Sequence, residues 1–160
     1  MTEKQATTRI ASYCSKAERC EYDVKKKLLA WEQNEEVTVR ILSFLYSEKF
    51  LNEERYILSF IKDKMRFNKW GKNKIIFELK KKHISENTIK KKLDELTDNE
   101  FEESLIKILQ TKIKTIKATN AYERKVKLFR FAMGRGFQSD MISRCLEKLI
   151  TEDLSDDYPF

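Results

Sequence analysis

The sequence predicts an all-α protein in which three tandem three-helix repeats pack at right angles into an elongated, curved array. Three observations support this fold class. Residues that form tight turns are scarce, apolar residues recur at helical spacing, and the apolar pattern repeats about every 50 residues.

The scarcity of turn residues argues against most β architectures. The 160 residues include three Gly and one Pro, whereas a β-sandwich or barrel uses such residues at many tight turns. The chain also lacks the glycine-rich phosphate loop of a doubly wound nucleotide-binding fold. Two glycines, Gly71 and Gly136, fall between periodic segments, where they are predicted to stop helices or form turns.

Apolar residues recur at spacings of three and four, as in the stripe that contains Phe101, Leu105 and Leu109. Helices of this length are unstable alone in water, so each must bury its stripe against neighbours. The pattern predicts nine helices, at 5–15, 20–31, 35–49, 53–66, 72–82, 86–96, 100–116, 121–133 and 139–151.

Polar residues at the predicted helix starts support these boundaries. The segment Thr97-Asp98-Asn99-Glu100 has the form of a capping box. Arg55 is expected to support the junction between the first two repeats, paired with Glu53 or Glu54. Three further residues stand where an N-cap would satisfy free amides, namely Asn52, Ser85 and Ser139.

The repeat emerges when the sequence is shifted against itself. A shift of 53 residues carries Ile75 onto Leu128, and a shift of 51 residues the other way carries Ile75 onto Val24. Other apolar residues follow the same shifts. The expected segments are helical repeats at 1–51, 52–97 and 98–151, followed by an acidic, frayed tail at 152–160.

The net charge of +7 is concentrated in two blocks. Residues 62–92 hold 12 Lys and Arg against 3 Asp and Glu, and residues 112–130 hold 7 against 1. The rest of the chain is therefore net acidic. Two basic blocks on an acidic chain favour a polyanionic or acidic partner. The alternative is that these residues only solvate helical surfaces.

Basic and aromatic residues interleave around Phe67 and Trp70, at the turn between two helices of the second repeat. This pattern suits phosphate neutralisation with base stacking, or docking to an acidic protein groove. The alternative for the two aromatic residues is packing in the core or the turn. The predicted partner-binding residues are Lys64, Arg66, Lys69, Trp70, Lys72 and Lys74 in the second repeat, and Arg124, Lys127, Arg130 and Arg135 in the third.

Residues for enzymatic or metal chemistry are sparse. The single histidine, His83, stands at an apolar position and is expected to be a partly buried turn residue. Cys14, Cys20 and Cys145 cannot all pair, and they lack the C-x-x-C spacing of a zinc site. No Walker-type loop is present. We therefore expect no enzymatic activity, no metal and no cofactor.

Neither a signal peptide nor a membrane span is expected. The N-terminus has no apolar leader region, and no apolar run approaches the roughly 18–20 residues that cross a bilayer. We expect a cytoplasmic monomer with free thiols and no membrane contact.

Several short motifs resemble those of one family in order and spacing. The second repeat begins with Leu51-Asn52-Glu53-Glu54-Arg55-Tyr56 and continues with Gly71-Lys72-Asn73-Lys74-Ile75. Arg135-Gly136-Phe137 precedes the last helix, and Ser15-Lys16-Ala17-Glu18 lies in the first repeat. These segments resemble the RecX family of RecA regulators over about residues 7–150.

The resemblance implies a fold and a function. RecX proteins are built of three tandem three-helix repeats, in agreement with the repeat found here. They bind the RecA recombinase, chiefly as a filament on single-stranded DNA, and inhibit strand exchange, ATP hydrolysis and co-protease activity. Two residues depart from the family pattern. Glu53 stands where Asp is usual, and His83 stands where many relatives have Gly, which leaves the geometry of that turn open.

The resemblance and the charge pattern together predict a regulator that binds and mainly inhibits RecA filaments. An elongated stack of repeats is long for its mass and could contact more than one protomer of a filament. The alternative is a helix-turn-helix-like module that binds single- or double-stranded DNA directly, with RecA contact secondary.

Overall fold

The computed structural model describes the backbone of residues 1–155 and the side chains of residues 1–149. The described residues form nine helices and no strand, which confirms the all-α prediction. The helices are α1 (Glu3–Lys16), α2 (Glu21–Ala30), α3 (Glu35–Ser47), α4 (Glu53–Arg66), α5 (Lys72–Lys81), α6 (Glu86–Asp94), α7 (Asp98–Ile113), α8 (Ala121–Gly134) and α9 (Ser139–Ser155).

Each predicted helix corresponds to one observed helix. Helix α9 continues through Ser155, so the segment predicted as a frayed tail from residue 152 begins as helix. The rest of that predicted tail, residues 156–160, lies outside the described residues. None of the helices formed by the described residues is long and apolar enough to cross a membrane.

The predicted N-caps are partly confirmed. The side chains of Asn52 and Ser85 accept hydrogen bonds from the backbone N–H groups of Arg55 and Thr88, at 2.9 and 3.3 Å. The predicted capping box at Thr97 is wrong, since Thr97 is the N-cap of α7 without a side-chain hydrogen bond. Ser139 is also not a cap, because it is already helical as the first residue of α9.

The threefold apolar pattern corresponds to equivalent buried positions. Ile75, Leu128 and Val24, related by the two sequence shifts, are all fully buried, and each lies on the second helix of its unit. We call α1–α3 unit one, α4–α6 unit two and α7–α9 unit three. The repeated three-helix architecture follows from placing the same stripe of apolar residues at the centre of each unit.

The units do not share their cores equally. Units two and three have one continuous core, in which helix α4 packs against α7. Unit one has a core of its own, built from residues 6–51. The sequence repeat predicted three similar units, and the structure pairs two of them more closely than the third.

A backbone contact between two turns joins unit two to unit three. The N–H group of Gly71 donates to the carbonyl of Arg135 at 2.8 Å, and that of Asn73 donates to the carbonyl of Gly136 at 2.9 Å. Helix α5 has no side-chain cap, so these carbonyls serve free amides at its start. Gly136 has φ +91°, a conformation that favours glycine.

His83 adopts the conformation of the glycine that it replaces relative to the family pattern. Its φ is +63°, in the left-handed region, directly after the C-cap of α5. The turn therefore keeps a glycine-like geometry with a histidine in place. The prediction that His83 is partly buried is wrong, because its side chain is exposed to solvent. Its ring lies 5.1 Å from that of Tyr22.

We predict that Gly71→Ala and Gly136→Ala each lower the free energy of unfolding by about 2 kcal/mol or more. A Cβ at Gly71 would lie 2.5 Å from the backbone carbon and oxygen of Gly136, and at Gly136 it would meet the backbone of Lys74. Urea denaturation followed by circular dichroism measures the change.

Gly134→Ala is the matched control. Gly134 is the last residue of helix α8, and a Cβ added there meets nothing within 4 Å. Alanine is therefore expected to leave the free energy of unfolding unchanged or to raise it by up to about 1 kcal/mol. Equal stability of the Gly71 and Gly134 variants would contradict a close approach of the two turns.

Candidate partner-binding surface

The contact between units two and three brings two predicted basic regions together. The guanidinium of Arg135, after α8, donates to the carbonyl of Asn68 in the α4–α5 turn at 2.9 Å. Arg135 therefore lies beside the basic and aromatic residues of that turn. We call the resulting region the turn surface, formed by Lys64, Arg66, Phe67, Lys69, Trp70, Lys74 and Arg135.

Trp70 is half-buried between two lysines. The ammonium groups of Lys64 and Lys74 lie 5.0 and 4.7 Å from the centroid of its ring, within the range of cation–π attraction. Its edge also packs on Phe60, with centroids 6.4 Å apart. The tryptophan thus packs in the turn, the alternative considered above, while it holds two cations at the surface.

Phe67 is the most exposed aromatic side chain of the turn surface. It is 81% exposed at the C-cap of α4, which excludes core packing for this residue. Arg66 beside it is exposed, and Lys69 is held at φ +56° in the turn. An exposed phenylalanine between cations offers a partner apolar contact together with positive charge.

A small cleft opens beside these residues, between α4 and α7. Its volume is about 180 Å³, and basic Arg66, Lys69 and Lys107 line it together with acidic Glu100 and Glu103. The acidic residues reduce the positive potential on this side. A polyanion would therefore be attracted more strongly to the side of the turn surface near Phe67 than to the side facing α7.

Lys72 is engaged within the protein. Its ammonium contacts the carboxylate of Asp98 at 2.7 Å and lies 5.5 Å from the ring centroid of Phe101, with the side chain 17% exposed. The hydrogen bond from Lys72 lowers the pKa of Asp98. Because Lys72 connects the start of α5 with the start of α7, it supports the contact between units two and three.

The predicted basic residues of α8 do not form one patch. Lys127 contacts Glu123 at 3.0 Å and donates to the carbonyl of Lys117 at 2.6 Å, which ties it to the loop before α8. Hydrogen bonds from Thr119 and Lys127 lower the pKa of Glu123 to about 2. Arg124 is half-buried and Arg130 is exposed. Residues 124 and 135 are separated by about 16 Å along the helix axis.

Arg55 supports the junction between units one and two with a partner that was not predicted. Its guanidinium contacts the carboxylate of Glu18 at 2.6 Å and donates to the carbonyl of Lys49 at 3.0 Å. The expected pairing with Glu53 or Glu54 is wrong, because the side chain reaches back to unit one. Arg55 and Glu18 are 37 residues apart, so no local sequence pattern could indicate that they pair.

A further aromatic and basic stripe, on α5, was not predicted. Phe77 is 60% exposed, with the ammonium of Lys81 5.1 Å from its ring centroid. Lys74, Phe77 and Lys81 are spaced by three and four residues, which places them on one face of α5, and Trp70 lies just before that helix beside Lys74. That spacing was the signal that could have revealed the stripe.

The described residues contain no group of three or more His, Cys, Asp or Glu side chains placed to hold a metal ion. Cys14, Cys20 and Cys145 are free thiols, and all three are buried. Burial raises the pKa of the Cys14 thiol to about 11.

Family comparisons agree with the repeat architecture. Residues 52–93 match the model of the second three-helix domain of RecX, and residues 98–146 match that of the third. The regulatory protein RecX of Clostridium acetobutylicum is 30% identical over 152 residues, covering 92% of this chain and 70% of the relative. That of Clostridium perfringens strain 13 is 27% identical over 140 residues, covering 86% and 65%.

Solved structures share the fold. A crystal structure of RecX from Lactobacillus salivarius superimposes with a TM-score of 0.83 at 20% identity, covering 93% of this chain and 97% of the other. A second, titled regulatory protein RecX, gives 0.82 at 23% identity, covering 91% and 73%. The chain spans 65–70% of the length of the curated relatives described above. On the matched domains and the identity to its relatives, the chain belongs to the RecX family.

Proposed function

We propose that this protein binds filaments of the RecA recombinase on single-stranded DNA and mainly inhibits their recombinase, ATPase and co-protease activities. It acts in DNA repair and recombination, including the SOS response, as a cytoplasmic monomer without enzymatic activity of its own. Membership of the RecX family supports this proposal, together with a surface suited to an acidic or polyanionic partner.

The observation that carries the proposal is the turn surface. Its cations come from units two and three. These units are held together by the backbone contact between the turns at Gly71 and Gly136 and by a shared core. A rigid surface loses little conformational entropy when a partner binds. Phe67 and its basic neighbours can therefore act as a preformed docking site.

Attachment to a polymer explains how a small protein could inhibit it. If one molecule contacts neighbouring protomers, its binding is multivalent and favours assembled RecA over free subunits. A protein held in the filament groove would obstruct the second DNA molecule. It would also restrict the protomer movements that accompany ATP hydrolysis.

We expect the double variant Arg66→Glu and Lys69→Glu to weaken binding to RecA–single-stranded DNA filaments by about 10- to 100-fold. Both side chains belong to the turn surface and make no ion pair among the described residues, so helicity should be retained. Fluorescence anisotropy with filaments, free RecA and naked DNA in parallel measures the loss. Charge reversal at a steered interface costs about 1.4 kcal/mol per tenfold change.

The matched control carries Lys26→Glu and Lys91→Glu, which change the net charge by the same amount on exposed residues of α2 and α6. This variant should bind filaments nearly as well as the unmodified protein. An equal loss of filament affinity in both variants would show that binding depends only on net charge. It would then exclude the turn surface from the binding site.

Phe67→Ala separates binding from folding. Because Phe67 is 81% exposed, its truncation should change the free energy of unfolding by less than about 0.5 kcal/mol. An anchor residue at an interface typically contributes about 1–2 kcal/mol, so filament affinity should fall roughly 5- to 30-fold. Unfolding and binding measured on the same sample test this, and unchanged affinity would exclude Phe67 from the interface.

Direct binding to single- or double-stranded DNA is the second candidate function. It is favoured by the aromatic and basic stripe of Lys74, Phe77 and Lys81 on α5, with half-buried Trp70 beside Lys74. Stacking platforms with nearby cations bind single strands without sequence preference.

Salt dependence distinguishes the two candidates. If the protein binds DNA phosphates, the logarithm of its affinity should fall steeply with the logarithm of salt concentration, by about 0.7 for each phosphate of a single strand. Filament binding through protein contacts should depend less on salt. We expect a shallow slope with filaments and weak binding to naked DNA, measured by titration between about 50 and 300 mM salt. A steep slope of equal size with both would favour direct DNA binding.

A further inference from the structure

Unit one is joined to the rest of the protein mainly by polar contacts. Its apolar residues form a core that is separate from the common core of units two and three. Among the described residues, the extensive helix pairs of unit one all lie within that unit. Of the described apolar side chains of unit one, only two at the start of α2 join the other core: Cys20 inserts into it and Tyr22 packs on its edge.

One cluster at this junction centres on Asp23. One carboxylate oxygen of Asp23 contacts the ammonium of Lys82 at 2.6 Å, and the other accepts a hydrogen bond from the Cys20 thiol at 3.2 Å. Lys82 also lies 5.3 Å from the ring centroid of Tyr22. Partial burial is the largest single influence on Lys82 and opposes its charge, but the hydrogen bond to Asp23 and the attraction of nearby groups, Asp23 foremost, together outweigh it and raise the pKa of Lys82.

A second polar contact lies on the α4 side of the junction. Arg55 bonds to the carboxylate of Glu18 and to the carbonyl of Lys49 in unit one. The side chains of Arg55 and Glu18 are 45% and 27% exposed, so water and salt can compete with the pair. Each junction pair therefore holds unit one weakly compared with a continuous apolar core.

The packing between unit one and the rest of the protein is incomplete. A cleft of about 520 Å³ lies between them, lined by Tyr22, Leu29 and Tyr46 of unit one and by Lys82 and His83 of unit two. A cleft of this size means that much of the facing surface is already hydrated. The apolar side chains of unit one that separation would withdraw from the other core are Cys20 and Tyr22, so its hydrophobic cost is small compared with opening a continuous core.

We propose that unit one moves as one folded body about the Leu51–Asn52 connection, and that the Lys82–Asp23 and Arg55–Glu18 pairs act as the latch that holds it closed. Opening withdraws Cys20 from the core of units two and three and widens the cleft. The inference is independent of the proposed function, since it concerns how the units are joined rather than what they bind.

The three cysteines provide a built-in readout. Cys14 lies in the core of unit one, Cys20 at the junction and Cys145 in the common core of units two and three. All three are buried, and burial raises the pKa of each thiol, so labelling requires the surrounding structure to open. A body movement of unit one exposes Cys20 alone.

The experiment is alkylation of the unmodified protein with N-ethylmaleimide, followed by peptide mass spectrometry. The labelling rate of each cysteine is divided by its rate in the urea-unfolded chain. We expect Cys20 to be labelled at least about 10-fold faster than Cys14 and Cys145, and its rate to increase with salt concentration because the latch is ionic.

Asp23→Asn and Glu18→Gln each remove one latch pair. Each should raise the labelling rate of Cys20 by about two- to fivefold and leave that of Cys145 unchanged. Glu86→Gln is the matched control, since it removes surface pairs with Lys80 and Lys90 inside unit two and lies outside the junction. It should leave all three rates unchanged.

Three results would overturn the proposal. Equal rates for Cys20 and Cys145 would mean that the chain opens only as a single cooperative body. Equal rates for Cys20 and Cys14, both faster than Cys145, would mean that unit one unfolds instead of moving intact. A Cys20 rate that does not respond to Asp23→Asn or Glu18→Gln would refute the latch.

Discussion

Contact between the backbones of two turns is the constraint on which the rest of the structure depends. Gly71 and Gly136 let the α4–α5 turn and the α8–α9 turn approach so closely that no other side chain fits between them. The carbonyls of Arg135 and Gly136 then satisfy amides at the start of α5, which has no side-chain cap. One contact thus begins a helix, fixes the packing of two units and assembles the surface proposed to meet RecA.

The two junctions of the chain differ in physical character. Units two and three are joined by apolar burial and backbone hydrogen bonds, which water and salt weaken little. Unit one is joined by partly exposed ion pairs around Arg55 and Lys82. A rigid binding surface combined with an adjustable arm would suit a partner that repeats along a helical filament.

Positive charge is abundant in this chain, but much of it is used internally. Lys72 bridges to Asp98, Lys127 ties down the loop before α8, and Arg135 holds the α4–α5 turn. The cations that remain available at the turn surface flank Phe67, an exposed aromatic side chain that contributes little to the core. Electrostatic steering and an apolar anchor can therefore act at the same point.

The helix positions, the threefold repeat and most helix boundaries could be predicted without coordinates, because helical spacing and capping are local properties of the chain. Equivalent positions such as Ile75 and Leu128 were buried as their spacing required. The folded chain was needed to reveal the sharing of cores, the pairing of Arg55 with Glu18 and the ion pair of Lys72 with Asp98. These contacts join residues far apart in the chain, and local patterns carry no information about which distant partner a charged side chain will meet.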